Sequence, residues 1–165
     1  MTAPEPPVPS TARHGRLSYA VFQLARAHRG QGAAILRELD LHPGQELLLM
    51  QLFDQDGLTQ SELLGCVGLD HSTVSKSLRR MQDAGLLTRE PAEHDRRVMV
   101  VRLTDKGRAL REPIARMWQE LEDTSARDLT DEEIDTFVRL AHRITASLTA
   151  RATATDDAGR EHPAP

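Results

Sequence analysis

The residues best suited to chemistry on a polyanion lie between Asp70 and Gly107. Ser72, Thr73, Ser75, Lys76, Arg79 and Arg80 follow Asp70 closely, interleaved with Val74, Leu78 and Met81 at i, i+4 and i+7. That spacing makes a helix with a narrow apolar stripe, and at roughly 100° per residue Ser72, Thr73, Lys76, Arg79 and Arg80 fall on the opposite half. Short hydroxyls near the N-terminus and longer cations further along suit a helix entering a DNA groove N-terminus first. Downstream, two strand-like runs, 86–90 and 98–103, flank Pro91-Ala92-Glu93-His94-Asp95-Arg96-Arg97, a link longer and more charged than a tight hairpin requires. Asp95 can pair with a nearby arginine and stiffen the tip. Arg96 and Arg97 offer guanidinium groups to phosphates or to a narrow minor groove. A solvated helix face would carry the same residue types, and the hairpin is what sharpens the nucleic-acid reading.

The elements that position these groups follow from pattern and punctuation. Asp70 is placed to cap the polar helix and Gly85 to close it. Thr59-Gln60-Ser61-Glu62 matches a capping box, so a short helix is expected from Gln60 to about Val67, ended by Gly68. These two helices, joined across Gly68-Leu69-Asp70, form a helix-turn-helix candidate. Leu17, Ala20, Val21, Leu24, Ala27, Ile35 and Leu39 recur at helical spacing, predicting one long first helix from about Arg16 to Leu39. Pro43 is expected to start a second helix through Phe53, with Leu47-Leu48-Leu49-Met50 buried. From Asp105 to about Arg127 the pattern predicts one long helix with Leu110, Ile114, Met117, Trp118 and Leu121 on its apolar side. Thr130-Asp131-Glu132-Glu133 is a second capping box, opening a last helix that carries Ile134, Phe137, Val138, Leu140, Ala141, Ile144 and Leu148. The fold class is therefore mainly α with a small β-hairpin. Residues 1–13 and 150–165 lack a core pattern and are expected to be mobile tails.

Composition narrows the class of function. Net charge is −4, yet its distribution is uneven: residues 71–111 carry ten Lys and Arg against five Asp and Glu, while 1–70 and 112–165 are net −3 and −6. A basic block confined to the segment with the polar helix can form a local electrostatic footprint. Aromatic residues make up 3% of the chain, too few for a base-stacking platform for single strands. No apolar run approaches the roughly 18 residues of a membrane span, and a soluble cytoplasmic protein is expected. An enzyme is disfavoured: no Gly-rich phosphate loop, nucleophile elbow or paired metal motif is present, and Asp131-Glu132-Glu133 opens a helix, where acidic groups complement the dipole. The seven histidines include no i, i+4 pair and Cys66 is the only cysteine, so neither a metal site nor a cofactor is expected.

Taken in order, Leu58-Thr59-Gln60-Ser61-Glu62-Leu63, Asp70-His71-Ser72-Thr73-Val74-Ser75, Gly85-Leu86-Leu87-Thr88-Arg89, Asp95-Arg96-Arg97 and Val101-Arg102-Leu103-Thr104-Asp105-Lys106-Gly107 resemble the MarR family of winged helix-turn-helix transcription regulators. The similarity spans about Leu17 to Leu148. It implies a homodimer, with residues 14–42 and 105–149 as a helical dimerisation region and 43–104 as the winged helix-turn-helix region. It also implies binding to double-stranded DNA at a pseudo-palindromic operator, most simply as a repressor relieved by a small molecule or other signal. The wide apolar stripe of the last helix fits burial against a second chain, with packing inside one chain as the alternative. A protein-interaction module without DNA binding is the competing class.

The effector is less legible. Tyr19, Phe22, Arg26 and His28 on the first helix, with His42, Phe53 and Trp118, are candidates for a pocket, against the plainer reading of core or surface. His42 stands where the family usually has Thr or Ser as a helix cap. Thiol- or metal-responsive regulation is the alternative within the same fold. Cys66 lies at the end of the third helix, whereas the family's peroxide-sensing cysteines lie on the first, which favours an incidental thiol.

Overall fold

The computed structural model describes residues 8–92 and 94–160. The chain divides into two compact units, one through Glu122 and one from Asp123. After a 3-10 turn at Ser10–Gly15, the first unit runs α1 (Arg16–Glu38), α2 (Gln45–Asp54), β1 (Leu58–Thr59), α3 (Gln60–Val67), α4 (His71–Asp83), β2 (Leu87–Pro91), β3 (Met99–Leu103), α5 (Asp105–Arg108) and the greater part of α6 (Arg111–Ala126). The second unit holds the end of α6 and α7 (Asp131–Arg160).

The core of the first unit forms where the predicted stripes meet. Leu48, Leu49 and Leu52 of α2, Leu63 of α3, Val74, Leu78 and Met81 of α4, Leu87 and Val101 of the sheet and Ile114 of α6 are all buried in one cluster. At about 25 cal/mol per Å2 of apolar surface, a cluster of this size is the main stabilising term available to the unit. α1 contributes only its C-terminal half, with Leu36 buried and Gly32 facing Leu121. Its glycines leave the helix uninterrupted.

Four expectations need correction. The hairpin is two strands of a three-stranded antiparallel sheet in the order β1-β3-β2, with Leu58 opposite Val101 and Leu87 opposite Leu103. A two-residue strand is too short to show an alternation, so β1 left no period to detect. Second, α2 begins at Gln45, not at Pro43: Gly44 takes φ +92°, which an L side chain rarely adopts, and the turn before it excludes Pro43 from the helix. The N-cap of α2 is Gly44, with no side-chain cap from His42, and the buried Gln45 side-chain oxygen instead accepts the His42 N–H at 2.9 Å.

Third, the helix expected from Asp105 to Arg127 breaks between Arg108 and Arg111. Pro113 has no N–H for an i−4 carbonyl and its ring crowds that carbonyl, so it is tolerated in the first turn of α6 but not inside a continuous helix. Fourth, α7 continues past its last apolar position, Leu148, to Arg160. Alanine-rich sequence sustains a helix without a buried stripe. Residues 1–7 and 161–165 of the expected tails lie outside the described residues. The two capping boxes form as expected, with Thr59 and Glu62, and Thr130 and Glu133, exchanging backbone hydrogen bonds.

Candidate DNA-binding surface

α3 and α4 meet across Gly68, whose φ of +62° makes the turn, and Leu69, which packs on the core. Val74, Leu78 and Met81 are fully buried while Ser72, Lys76, Arg79 and Arg80 are exposed and Thr73 and Ser75 half-buried, so the sequence stripe correctly divides the helix. The N-terminal turn has a further organisation. Asp70 caps Thr73 N–H at 2.9 Å and also receives both hydroxyls, Ser72 Oγ at 2.7 Å and Thr73 Oγ1 at 2.5 Å. The Thr73 hydroxyl, the Ser72 hydroxyl and the Thr73 amide hold the Asp70 carboxyl far below the usual carboxylate range. Because each hydroxyl has one hydrogen, Ser72 and Thr73 are left with lone pairs, not donors, for a partner.

The wing is organised through its backbone. Asp95 Oδ1 accepts the Arg97 N–H at 2.9 Å, Asp95 O accepts Val98 N–H at 2.9 Å, and Ala92 N–H donates to Val98 O at 2.8 Å. The expectation that Asp95 stiffens the tip by pairing with an arginine side chain takes this different form among the described residues; Glu93 lies outside them. Arg96 and Arg97 are exposed.

The basic block splits into two sets that charge counting merged. Arg89 Nε donates to Gln82 Oε1 at 2.7 Å, Lys106 Nζ to Ala84 O at 2.9 Å, Arg108 to Asp56 and Leu103 O at 2.9 Å each, and Arg111 to Phe53 O at 2.9 Å. Arg102 folds over Gly57, where a Cβ would sit 2.7 Å from its guanidinium. Lys76, Arg79, Arg80, Arg96 and Arg97 make no such bond among the described residues. The available footprint is therefore these five cations on α4 and the wing. The partnered set was missed because its partners are backbone carbonyls and side-chain groups 5 to 58 positions away, which composition does not report.

The candidate pocket residues do not gather into one site. Tyr19 stacks near Phe22 at 6.3 Å between ring centroids, His28 lies 6.5 Å from the Trp118 ring, and Trp118 Nε1 donates to Met50 Sδ at 3.1 Å. Phe53 carries the Arg111 guanidinium 5.7 Å over its ring. Arg26 and His42 are exposed and join neither group. An open depression of about 330 Å3 lies instead on α7, lined by Glu132, Glu133, Thr136, Phe137 and Leu140. Cys66 is an exposed free thiol at the end of α3. Among the described residues no three His, Cys, Asp or Glu side chains cluster as a metal site, and no helix is long and apolar enough to cross a membrane.

Known proteins share this arrangement. The MarR family model matches residues 33–98, from the end of α1 into the wing and β3 approach. The HTH-type transcriptional regulator YybA of Bacillus subtilis is 23% identical over 128 residues, covering 78% of this chain and 85% of its own. The organic hydroperoxide resistance transcriptional regulator of the same bacterium is 30% identical over 97 residues, 59% of this chain and 66% of that one. Among solved structures, the MepR–DNA complex of Staphylococcus aureus superposes with a TM-score of 0.73 at 26% identity, covering 79% of this chain and 96% of that one. A helix-turn-helix capped by Asp70, a wing ordered by Asp95, and these relatives lead to one conclusion: the chain belongs to the MarR family of winged helix-turn-helix transcriptional regulators.

Proposed function

We propose that the protein is a cytoplasmic repressor that binds a pseudo-palindromic operator as a homodimer, with α4 in the major groove and the wing at an adjacent minor groove. The observation that carries this reading is the sorting of the basic block. Arg89, Lys106, Arg108 and Arg111 are tied by hydrogen bonds to other parts of the fold, whereas the exposed side chains of Lys76, Arg79, Arg80, Arg96 and Arg97 make no such bond among the described residues and lie on the two elements that would meet DNA. Unpaired surface cations release phosphate counterions on binding, and that is the dominant sequence-independent term in duplex affinity. The MepR–DNA complex among the structural neighbours supports the same partner.

Homodimerisation is supported by the apolar surface left uncovered on two helices. Leu17, Val21, Phe22 and Leu24 of α1, and Phe137, Val138, Leu140 and Leu148 of α7, are 40% to 65% exposed. Large exposed apolar side chains grouped on one element mark an interaction surface. An effector that relieves repression completes the proposal on family grounds. The single tryptophan, Trp118, sits at 37% exposure on Met50 and His28, and its fluorescence provides a direct report of ligand binding there.

The test is binding to a duplex selected from a random pool, followed by titration at increasing salt. Arg79→Ala and Arg80→Ala should each weaken binding to selected and scrambled duplexes alike and lower the salt slope by about one per site per protomer. A slope unaffected by both substitutions would remove α4 from the interface. Binding that requires no duplex at all would favour the protein-interaction alternative.

A further inference from the structure

The motif Thr104-Asp105-Lys106-Gly107 is not used by the DNA-binding face, yet it holds the far end of the helix that forms that face. Three consecutive carbonyls beyond α4 are taken by this one segment. Lys106 Nζ donates to Ala84 O at 2.9 Å, Thr104 Oγ1 to Gly85 O at 2.7 Å, and Thr104 N–H to Leu86 O at 3.1 Å. Gly107 lets the chain lie so close to Leu86 O that a Cβ at 107 would collide with it. Thr104 Oγ1 also accepts the Gly107 N–H at 3.1 Å, so one hydroxyl both starts α5 and ties it to the end of α4.

The other side of α5 is held as firmly. Arg108 bridges Asp56 Oδ2 and Leu103 O, and the same carboxylate accepts Leu103 N–H at 2.9 Å through Oδ1. Arg111, three residues on, donates to Phe53 O and stacks on the Phe53 ring. A four-residue helix thus joins the C-terminal end of α4 to the turn between α2 and β1. Cations at helix C-termini are favoured by the exposed carbonyls there, which explains why Lys106 and Arg111 bind where they do.

We propose that Lys106 is a positioning residue for DNA recognition: through the Ala84 carbonyl it sets the angle at which α4 is presented, without itself touching DNA. The lever makes this effective. α4 has 13 residues and is about 20 Å long at 1.5 Å per residue, so a tilt of about 10° at its C-terminus displaces its N-terminus by about 3 Å. Hydrogen bonds to base edges do not survive that displacement, whereas flexible cations still reach phosphates. Loosening the clasp therefore costs base-specific binding more than nonspecific binding.

This inference rests on α4 as the recognition helix, and the test separates the two. Duplex selected by the parent protein from a random pool and a scrambled duplex of equal length are titrated with Lys106→Met, Lys106→Arg and Ser72→Ala, alongside thermal melting of each protein. Lys106→Met should bind selected duplex about five- to tenfold more weakly, with scrambled-duplex affinity, salt slope and melting temperature near the parent's, and Lys106→Arg should restore the preference. A salt slope lower by about one per protomer would make Lys106 a phosphate contact and overturn the proposal. Equal losses on both duplexes accompanied by a fall in melting temperature would reduce it to a purely structural residue, and affinity equal to the parent's would also overturn it. If Ser72→Ala keeps full preference, the recognition-helix assignment fails; if Ser72→Ala is impaired while Lys106→Met is not, the clasp alone fails.

Discussion

Ser72 and Thr73 meet solvent with their hydroxyl hydrogens already directed to Asp70, and this reverses the simplest reading of a hydroxyl as an adaptable donor. In the major groove only cytosine N4 and adenine N6 donate, so an acceptor edge at the start of α4 should favour C or A at the bases it meets. Asp70→Asn preserves helix capping, because Asn and Asp cap about equally well. Its amide nitrogen would donate where a carboxylate oxygen accepted, turning a hydroxyl outward as a donor. Selection from a random duplex pool should then show a several-fold shift toward G or T at those positions, and unchanged base preference would show that these hydroxyls do not read bases. At the wing, Arg97 is exposed while its backbone N–H is fixed by Asp95. A guanidinium held over a narrow A·T-rich minor groove gains from the concentrated negative potential. Arg97→Ala should weaken binding to selected duplex by roughly 1–3 kcal/mol with the fold intact by circular dichroism. Binding as tight as the parent's at physiological salt would leave the wing without a role in DNA reading.

Among elements, the turn after α2 and the last strand depend on one carboxylate. Burial pushes the Asp56 carboxyl up, but Leu103 N–H, the Arg108 guanidinium and Gly57 N–H outweigh it, and the net result lies below the usual carboxylate range. A depressed pKa contributes stability above the unfolded value and loses it as pH falls through the folded one. Asp56→Ala should therefore cost about 1–2 kcal/mol at pH 7, a charged hydrogen bond discounted for partial exposure. The gap from the parent should close as pH drops below about 4, followed by urea melts across that range. A gap that stays constant to the lowest accessible pH would mean that packing, not charge, is what the substitution removes. The same network explains why the break between α5 and α6 matters: Pro113 starts a new helix there, and Arg108 and Arg111 end up on opposite sides of the break with separate partners.

For the molecule as a whole, the balance of covered and uncovered apolar surface differs sharply between units. The first unit encloses a continuous core, but in the second no described side chain of α7 is buried, and Phe137 and Leu140 edge an open depression. A helix with this stripe needs a partner surface to be stable in water. Light scattering at low micromolar concentration should return twice the 18.4 kDa chain mass. Replacing Phe137 and Leu140 together by Glu places two carboxylates where desolvation is costly, and it should shift the mass toward one chain and weaken operator binding with it. A folded parent monomer that binds duplex specifically would overturn the dimeric reading.

What could be determined from the sequence alone was everything carried by short spacing. The capping boxes at Thr59 and Thr130, the Asp70 cap, the stripe Val74, Leu78 and Met81, and the limits of α3 and α4 all depend on contacts three or four residues apart, which the chain displays directly. The family motifs likewise lie along the chain in order. Tertiary structure decided which of the basic residues are tied to the fold, because Lys106, Arg108 and Arg111 find their partners on α2, its following turn, the end of α4 and β3. It also added β1, whose two residues become a strand only when β3 is beside them. Periodicity records a helix's own buried face, but which distant carbonyl a cation meets depends on how those faces pack, and no local spacing encodes that.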